Sequence, residues 1–565
     1  MTRALVLPSH DDPVVAGAVE AVGGPPGRHA RLGERRLWTP TRVLIALTLL
    51  TSLLGFAQKA PCRDGSTWVH EHQYTRACYT DVVALYSSEG LAKGDLPYYD
   101  HPVEYPVVIG AVMEISSLMT RAVTAAFPDD KTGAAQRAFD KSPTPANRNT
   151  RDYAAAIARG RHFYDLTWAL VTICALVVTV TTARLSGRRP WDAAMFALSP
   201  ALLLHATTNW DLVAMAFAGL ALVAWSRRHP MTAGVLLGLA TATKLYPVLF
   251  LLPLLVLCLR AHKLRSWGAL AATTALVMAG LTLPVYLTAP SFADTANGQV
   301  RVLASPVDRL GTDGLSALLP QACRITQTAG QTSRYVTGRC PSMPAVGTTQ
   351  EQATNAVYRF FDLNQTRGAD WDSLYLQLQH LRTDHGRLKG LRNTVAGWVS
   401  DNTSPPANLN LWVAAVEILV MGGLAALTLR AKRRPRVPQL LFLTVAGFLI
   451  ANKVDSPQYV LWLVPLAVLA RPRWRPFLAW QAAEALVLLA RFYFFVSNDK
   501  PGQGITIGWF FAAVLLRDLL IVVYAAFVVR DIVRPELDVV RADGVDDPAG
   551  GVLDGAPDRR APAVV

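Results

Sequence analysis

Long apolar runs separated by short clusters of Lys and Arg constrain this chain more than any other feature. Such runs recur from residue 41 to residue 529, several of them close to the length that crosses a bilayer. The chain of 565 residues is 52% hydrophobic and only 17% charged, with a mean hydropathy of +0.26. That composition excludes an ordinary soluble domain and predicts an all-α polytopic membrane protein. The net charge of +14 does not indicate nucleic acid. The basic residues fall in the short connections, as in loops on the cytoplasmic side.

Reading the clusters as inside sets the topology. Residues 1–40 hold Gly23-Gly24-Pro25-Pro26-Gly27 and a basic run to Arg36, and read as a disordered cytoplasmic tail. The first span is 41–57, and 163–183 is the next clear one. Ala183-Arg184-Leu185-Ser186-Gly187-Arg188-Arg189 follows it and should be inside. The moderately apolar piece 103–126 then cannot cross, or every later cluster would face outward. It also carries Glu114 and Arg121, and a charge at mid-membrane costs about 2.5–3.5 kcal/mol on insertion scales. It is expected to lie along the outer interface.

This choice gives outer loops at 58–162 and 289–408 and about twelve spans within 41–529. The remaining spans are expected near 190–206, 210–226, 231–243, 246–260, 267–288, 409–429, 438–451, 459–470, 476–496 and 506–529. The Asp-, Gly- and Pro-rich segment 530–565 reads as a second disordered cytoplasmic tail. The mixed polar tips then all face outward, and any chemistry belongs to that face.

Several tips hold candidate residues. Cys78-Tyr79-Thr80-Asp81-Val82 places a carboxylate in a helix-compatible run; on its own Asp81 is as easily a cap. Leu96 to Pro106, with Tyr99, His101, Glu104 and Tyr105, suits sugar recognition or a Pro-broken turn anchored at the headgroups. Asn209-Trp210-Asp211 and Lys244-Leu245-Tyr246-Pro247 sit at hairpin tips, where a snorkelling Lys and an N-cap Asp are the plainer readings. Asn452-Lys453-Val454-Asp455-Ser456-Pro457-Gln458-Tyr459 is a polar tip with Trp462 behind it, and Lys453 there suits a phosphate at headgroup level. Arg309, in the second loop, offers a bidentate phosphate fork or a surface pair with a neighbouring Asp. Four cysteines lie in the outer loops and allow three pairings. Cys62–Cys78 with Cys323–Cys340 is the simplest, and four free thiols is the alternative. No His-x-x-x-His, Cys-x-x-Cys or Gly-rich phosphate loop occurs, so no metal site and no cofactor is expected.

Taken together, these residues resemble the GT-C glycosyltransferases. The similarity is greatest to glycosyltransferase family 87, the polyprenyl-phosphate-mannose-dependent mannosyltransferases. It rests on Tyr79-Thr80-Asp81-Val82, on Tyr105-Pro106, on the run from Gly238 to Pro247, and on Asn452-Lys453-Val454 with Ser456-Pro457-Gln458-Tyr459, Leu461 and Trp462. The last tip is also similar to that of the glycosylphosphatidylinositol mannosyltransferases. Two departures lie at the sugar and phosphate contacts: Arg309 has no His before it and Asp313 where the family has Glu, and Tyr105-Pro106 continues as Val107 rather than Pro.

The resemblance implies a GT-C fold whose outer loops carry interfacial helices. It also implies an inverting transfer of a sugar, mannose by family, from a polyprenyl phosphate to an acceptor hydroxyl at the outer face. Asp81 would be the general base. Arg309, Lys453 and Lys244 would hold the lipid phosphate. Tyr79, Tyr99, His101, Glu104, Asn209, Asp211, Gln458 and Tyr459 would line the sugar and acceptor sites. The partners are then the lipid-linked donor, a glycolipid, polysaccharide or protein acceptor, and membrane lipids, with the chain a monomer. A lipid-sugar transporter, the first alternative, would place polar groups at the midplane and repeat its fold. A non-catalytic scaffold, the second, would not need Asp81 beside an aromatic loop.

Overall fold

The computed structural model of the chain describes residues 11–22, 24, 38–63, 72–126, 149–295, 298–327, 333–341, 348–384, 406–500, 502–542, 544, 546–556 and 558. Seven described helices are long and apolar enough to cross a membrane: Pro40–Cys62, Val107–Ala126, Arg159–Leu185, Leu264–Thr288, Ala407–Arg430, Trp474–Ser497 and Ile507–Val533. Asp211–Ser226, Pro230–Thr243, Tyr246–Arg260, Val437–Ala451 and Pro457–Ala470 are apolar but shorter. The protein is therefore an all-α polytopic membrane protein in its bundle.

The short helices matter for the site. Pro230–Thr243, with 14 residues, rises only about 21 Å, against a hydrocarbon layer of about 30 Å. Four of the short helices start or stop at Asp211, Thr243, Ala451 and Pro457. Their ends leave a recess, and the polar tips predicted from sequence form its floor. Close packing supports this arrangement. Thr274 Oγ1 donates to the Gly234 carbonyl at 3.1 Å. A Cβ added at Gly234 or Gly238 would run into the Leu264–Thr288 helix, so the two backbones approach closely only because these positions are glycine.

The expected span at 190–206 is not one helix. Pro190 and Pro200 break it into the short pieces Pro190–Ala193, Ala194–Ala197 and Pro200–His205, with Ser199 capping the last. The helix Val107–Ala126 is long enough to cross, yet both its ends meet the end of the bundle that carries Asp81. Its first turns pack Gly110 on the Tyr98 ring. At mid-helix Ser117 Oγ donates to the Leu91 carbonyl at 3.1 Å, and a turn further on the Arg121 guanidinium lies against Gly94. Arg159, at the start of the Arg159–Leu185 helix, reaches the adjacent Ala92 carbonyl at 3.4 Å. The helix thus runs along this end of the bundle, and Glu114 and Arg121 neutralise each other at 2.8 Å.

The second loop holds more than helices. It folds in part as a five-stranded antiparallel sheet of β1 (Ser291–Thr295), β2 (Gly298–Leu303), β3 (Gln321–Gln327), β4 (Ser333–Thr337) and β5 (Thr348–Asn355), in the order β2-β1-β5-β3-β4. Cys323 of β3 is bonded to Cys340, and Cys62 to Cys78.

The tails, expected to be disordered, are folded in their described parts, at the end of the bundle opposite Asp81. Residues 535–558 bring carboxylates to the basic clusters: Asp538 pairs with Arg436 at 2.7 Å and Asp546 with Arg434 at 2.6 Å. Asp547 accepts from the Val437 amide at 2.7 Å, at the start of the Val437–Ala451 helix, where a negative charge is favoured. From the N-terminal side Asp12 accepts from the Trp474 amide at 3.0 Å. Composition suggested open tails because it does not register charge complementary to a particular set of arginines.

Candidate active site

Asp81 is the first residue of the helix Asp81–Ser88, with Thr80 as its N-cap. Thr80 Oγ1 accepts from the Val82 amide, satisfying a donor the helix cannot use. The same hydroxyl donates to the Thr207 carbonyl, and the Asp81 amide donates to the Thr208 carbonyl at 2.8 Å. This stitches the first loop to the tip before Asp211. The Cys62–Cys78 bond closes the chain just upstream. Lys59 Nζ donates to the Tyr79 carbonyl at 2.7 Å.

The carboxylate therefore sits at a fixed point. Asp81 Oδ2 accepts from Asn209 Nδ2 at 3.0 Å and from Gln458 Nε2 at 3.4 Å. Asn209 Nδ2 also donates to the Tyr105 hydroxyl at 2.8 Å, and the Tyr79 hydroxyl bonds the Asp81 carboxylate. Burial pushes the Asp81 pKa above the usual carboxylate range. The bonds from Tyr79 and Asn209, and the Lys244 charge, pull it down without cancelling the burial. A carboxylate so placed is a better base than one in water.

Two cavities meet at Asp81. The larger, about 490 Å³, is lined by Glu104, Tyr105, Asn209, Lys244, Arg367 and Tyr459 among others. The smaller, about 190 Å³, is lined by Lys59, Tyr74, His205, Arg491, Phe492 and Phe495 among others. Tyr79, Asp81, Ser456 and Gln458 border both.

Behind the larger cavity Lys244 Nζ pairs with Asp211 Oδ1 at 2.9 Å, and Trp462 Nε1 donates to the same oxygen at 2.7 Å. The ammonium lies over the Tyr459 ring at 5.0 Å and near those of Tyr105 and Trp462. Asp211 is 1% exposed and does not cap its helix. It serves as the counter-ion of Lys244, not as a group on the cavity wall. Lys244 stays charged: burial alone would lower its pKa, but Asp211 and Tyr459 raise it above the ordinary value.

Several expected contacts fall elsewhere. Lys453, one of the phosphate candidates, turns its ammonium to the Arg367 carbonyl and is not on the cavity wall. There burial, with Arg367 beside it, lowers its pKa to about 8. Arg309 spends its guanidinium on the Ala304 and Ala317 carbonyls and on Asp313, 3.2 Å away. It is the local pair of a surface helix, away from both cavities. Tyr99 bonds Thr288 at 2.9 Å and so ties the loop to the Leu264–Thr288 helix, while His101 Nδ1 faces Glu89 within the loop at 3.3 Å. Glu104, Asn209, Gln458 and Tyr459 do line the larger cavity.

Sequence reasoning missed Arg367, Lys59 and Arg491. The last two spans also carry the charged residues Glu484, Arg491, Arg517 and Asp518. These pair toward the site end: Arg517 with Asp455 at 2.7 Å and with Asp518 at 2.9 Å, and Arg491 with Asp372 at 2.8 Å. Among the described residues no group of three or more His, Cys, Asp or Glu is placed to hold a metal ion.

A model of Glycosyltransferase family 87 matches residues 154–324, the stretch that supplies Asn209, Asp211 and Lys244. With the polytopic fold, this match supports a membrane glycosyltransferase of the GT-C type. No curated protein matches the chain.

Proposed function

We propose that the protein is an inverting glycosyltransferase that moves mannose from a polyprenyl-phosphate donor to an acceptor hydroxyl at the outer face of the cell membrane. The observation that carries this reading is a buried carboxylate, Asp81, at the shared wall of two cavities. Two substrates entering from two sides meet at that wall. Asp81 takes the proton of the acceptor hydroxyl. The hydroxyl oxygen bonds to the anomeric carbon as the bond from that carbon to the phosphate oxygen breaks, and a β-linked donor gives an α-linked product. The leaving lipid phosphate is a weak base and needs positive charge, not a proton. Arg367, on the larger cavity and 44% exposed, is the cation free to approach it, with Lys244 behind. Glu104 faces Arg367 at 3.9 Å and would give way to the phosphate.

The test is transfer from radiolabelled mannosyl-phosphoryl-polyprenol by purified protein in lipid nanodiscs. Asp81→Asn, nearly isosteric, should remove transfer while the thermal unfolding midpoint stays within a few degrees. Transfer at the wild-type rate in that variant would refute the assignment.

A further inference from the structure

Two short helices hold the tip that reaches Asp81. Val437–Ala451 leads into it, Val460–Ala470 leads out of it, and Gln458 between them bonds the carboxylate. At the site end the chain itself joins the two helices. Arg517 adds a tether there, on Asp455 at 2.7 Å. A body tethered near one end can still pivot or slide. The far ends of the two helices therefore decide whether the tip keeps its place.

At those far ends a single side chain does the joining. Arg436 immediately precedes the Val437–Ala451 helix. Its Nη1 and Nη2 donate to the Leu469 and Ala470 carbonyls at 2.8 and 2.6 Å. These are the last two carbonyls of the Val460–Ala470 helix, which its own turns cannot satisfy. Nε and Nη2 also donate to the two oxygens of Asp538, at 2.7 and 3.0 Å. Gln439 Nε2 donates to Asp538 Oδ2 at 3.1 Å, from the first turn of Val437–Ala451. Arg436 and Asp538 are both buried. A guanidinium buried on neutral carbonyls needs a full negative charge, and Asp538, which lies beyond the last span, supplies it.

We propose that Arg436 and Asp538 are positioning residues for transfer. By fastening the far ends of the two helices to each other, they hold the Asn452–Tyr459 tip, and Gln458 with it, against Asp81. This role rests on Asp81 being the base. It gives the segment after the last span a part in a reaction at the opposite end of the bundle.

Two variants separate the fork from the charge. Arg436→Lys keeps a positive charge for Asp538, but one ammonium cannot serve the carboxylate and both carbonyls. Asp538→Asn keeps the shape and removes the negative charge. Amide hydrogen exchange in lipid nanodiscs reads the tip without any substrate. Each variant should raise exchange at residues 452–459 about tenfold and leave the Arg159–Leu185 helix within about twofold. Each should also lower kcat/KM for transfer from mannosyl-phosphoryl-polyprenol about tenfold, the scale of a hydrogen bond to a charged group. Asp554→Asn is the control, because Asp554 belongs to the same segment but faces Arg228 at 3.7 Å, in an exposed pair. It should change neither quantity. Tip exchange that stays at the wild-type level would overturn the proposal. A rise spread over the whole bundle, or failure of both variants to fold, would make the pair a general fastening and overturn it equally. So would a looser tip that transfers at the wild-type rate. A looser tip in the variants, with no transfer by the wild-type protein to any acceptor, sustains the clamp and overturns the transferase reading instead.

Discussion

Replacing Asn209 with Ala should move the acid limb of the transfer reaction upward in pH. Asn209 is 2% exposed, and its Nδ2 lies 3.0 Å from Asp81 Oδ2. That bond favours the charged carboxylate, against the burial that disfavours it. A hydrogen bond to a charged group contributes roughly 1.5–3 kcal/mol. Nδ2 is shared with the Tyr105 hydroxyl at 2.8 Å, and Tyr79 remains bonded to Asp81, so the lower end applies. At about 1.4 kcal/mol per pH unit, the Asp81 pKa rises by about one unit. On the proposed reading of Asp81 as base it must be unprotonated, so activity is lost as pH falls through that value, and the variant loses it about one unit sooner. The stability sign is the same for both proteins. A carboxyl with a raised folded pKa contributes stability that is present below its unfolded pKa and lost as pH rises through the folded one. Asn209→Ala should therefore unfold more easily at neutral pH than in acid, relative to wild type. The assay is kcat/KM against pH from roughly 4 to 9, with the unfolding midpoint at each pH. An acid limb that stays in place, or moves downward, would refute the claim that Asn209 holds Asp81 in its charged form.

Arg367→Ala should raise the donor KM by about tenfold, whereas Arg309→Ala should leave it unchanged, since Arg309 is engaged with Asp313 and two carbonyls. Steady-state kinetics with varied donor separate the two. Arg517→Met should cost about 3–5 kcal/mol of stability, because Asp455 is left buried without its partner. Arg517→Met with Asp455→Asn should be milder, and thermal unfolding in detergent reads the difference.

Periodicity carried the sequence reading as far as position along the membrane normal. Apolar runs and basic clusters located the polar tips, and the tips at 79–81, 209 and 458 do converge on one carboxylate. Direction around a tip is different information. Lys453 and Gln458 share a tip, yet Gln458 turns to Asp81 while Lys453 turns to the Arg367 carbonyl. Nothing in their spacing distinguishes the two outcomes, because the tip is a bend with no helical or strand period to assign faces. Arg367 was invisible for a related reason. It follows the helix Arg359–Thr366 in a loop with many other arginines, and only the fold brings that helix end over Asn452 and Tyr459. The sheet was missed because its strands are short and rich in Gln, Thr and Ser, without the alternation that marks a half-buried strand.

The charges in the last two spans show what position alone leaves out. Asp455 lies at the tip, Asp372 in the second loop, and Arg517 deep in a helix 27 residues long. Arg517 holds Asp455 by its carboxylate at 2.7 Å and Asp372 by its backbone carbonyl at 3.1 Å. The Asp370 amide in turn donates to the Lys453 carbonyl at 2.8 Å. The tip that carries Gln458 and the segment that carries Arg367 are thus one rigid unit anchored in the membrane. The group proposed for the leaving phosphate and a group that bonds the base therefore cannot be displaced independently. That shared anchor ties Gln458, which bonds Asp81 at 3.4 Å, to the segment carrying Arg367, the group proposed for the phosphate.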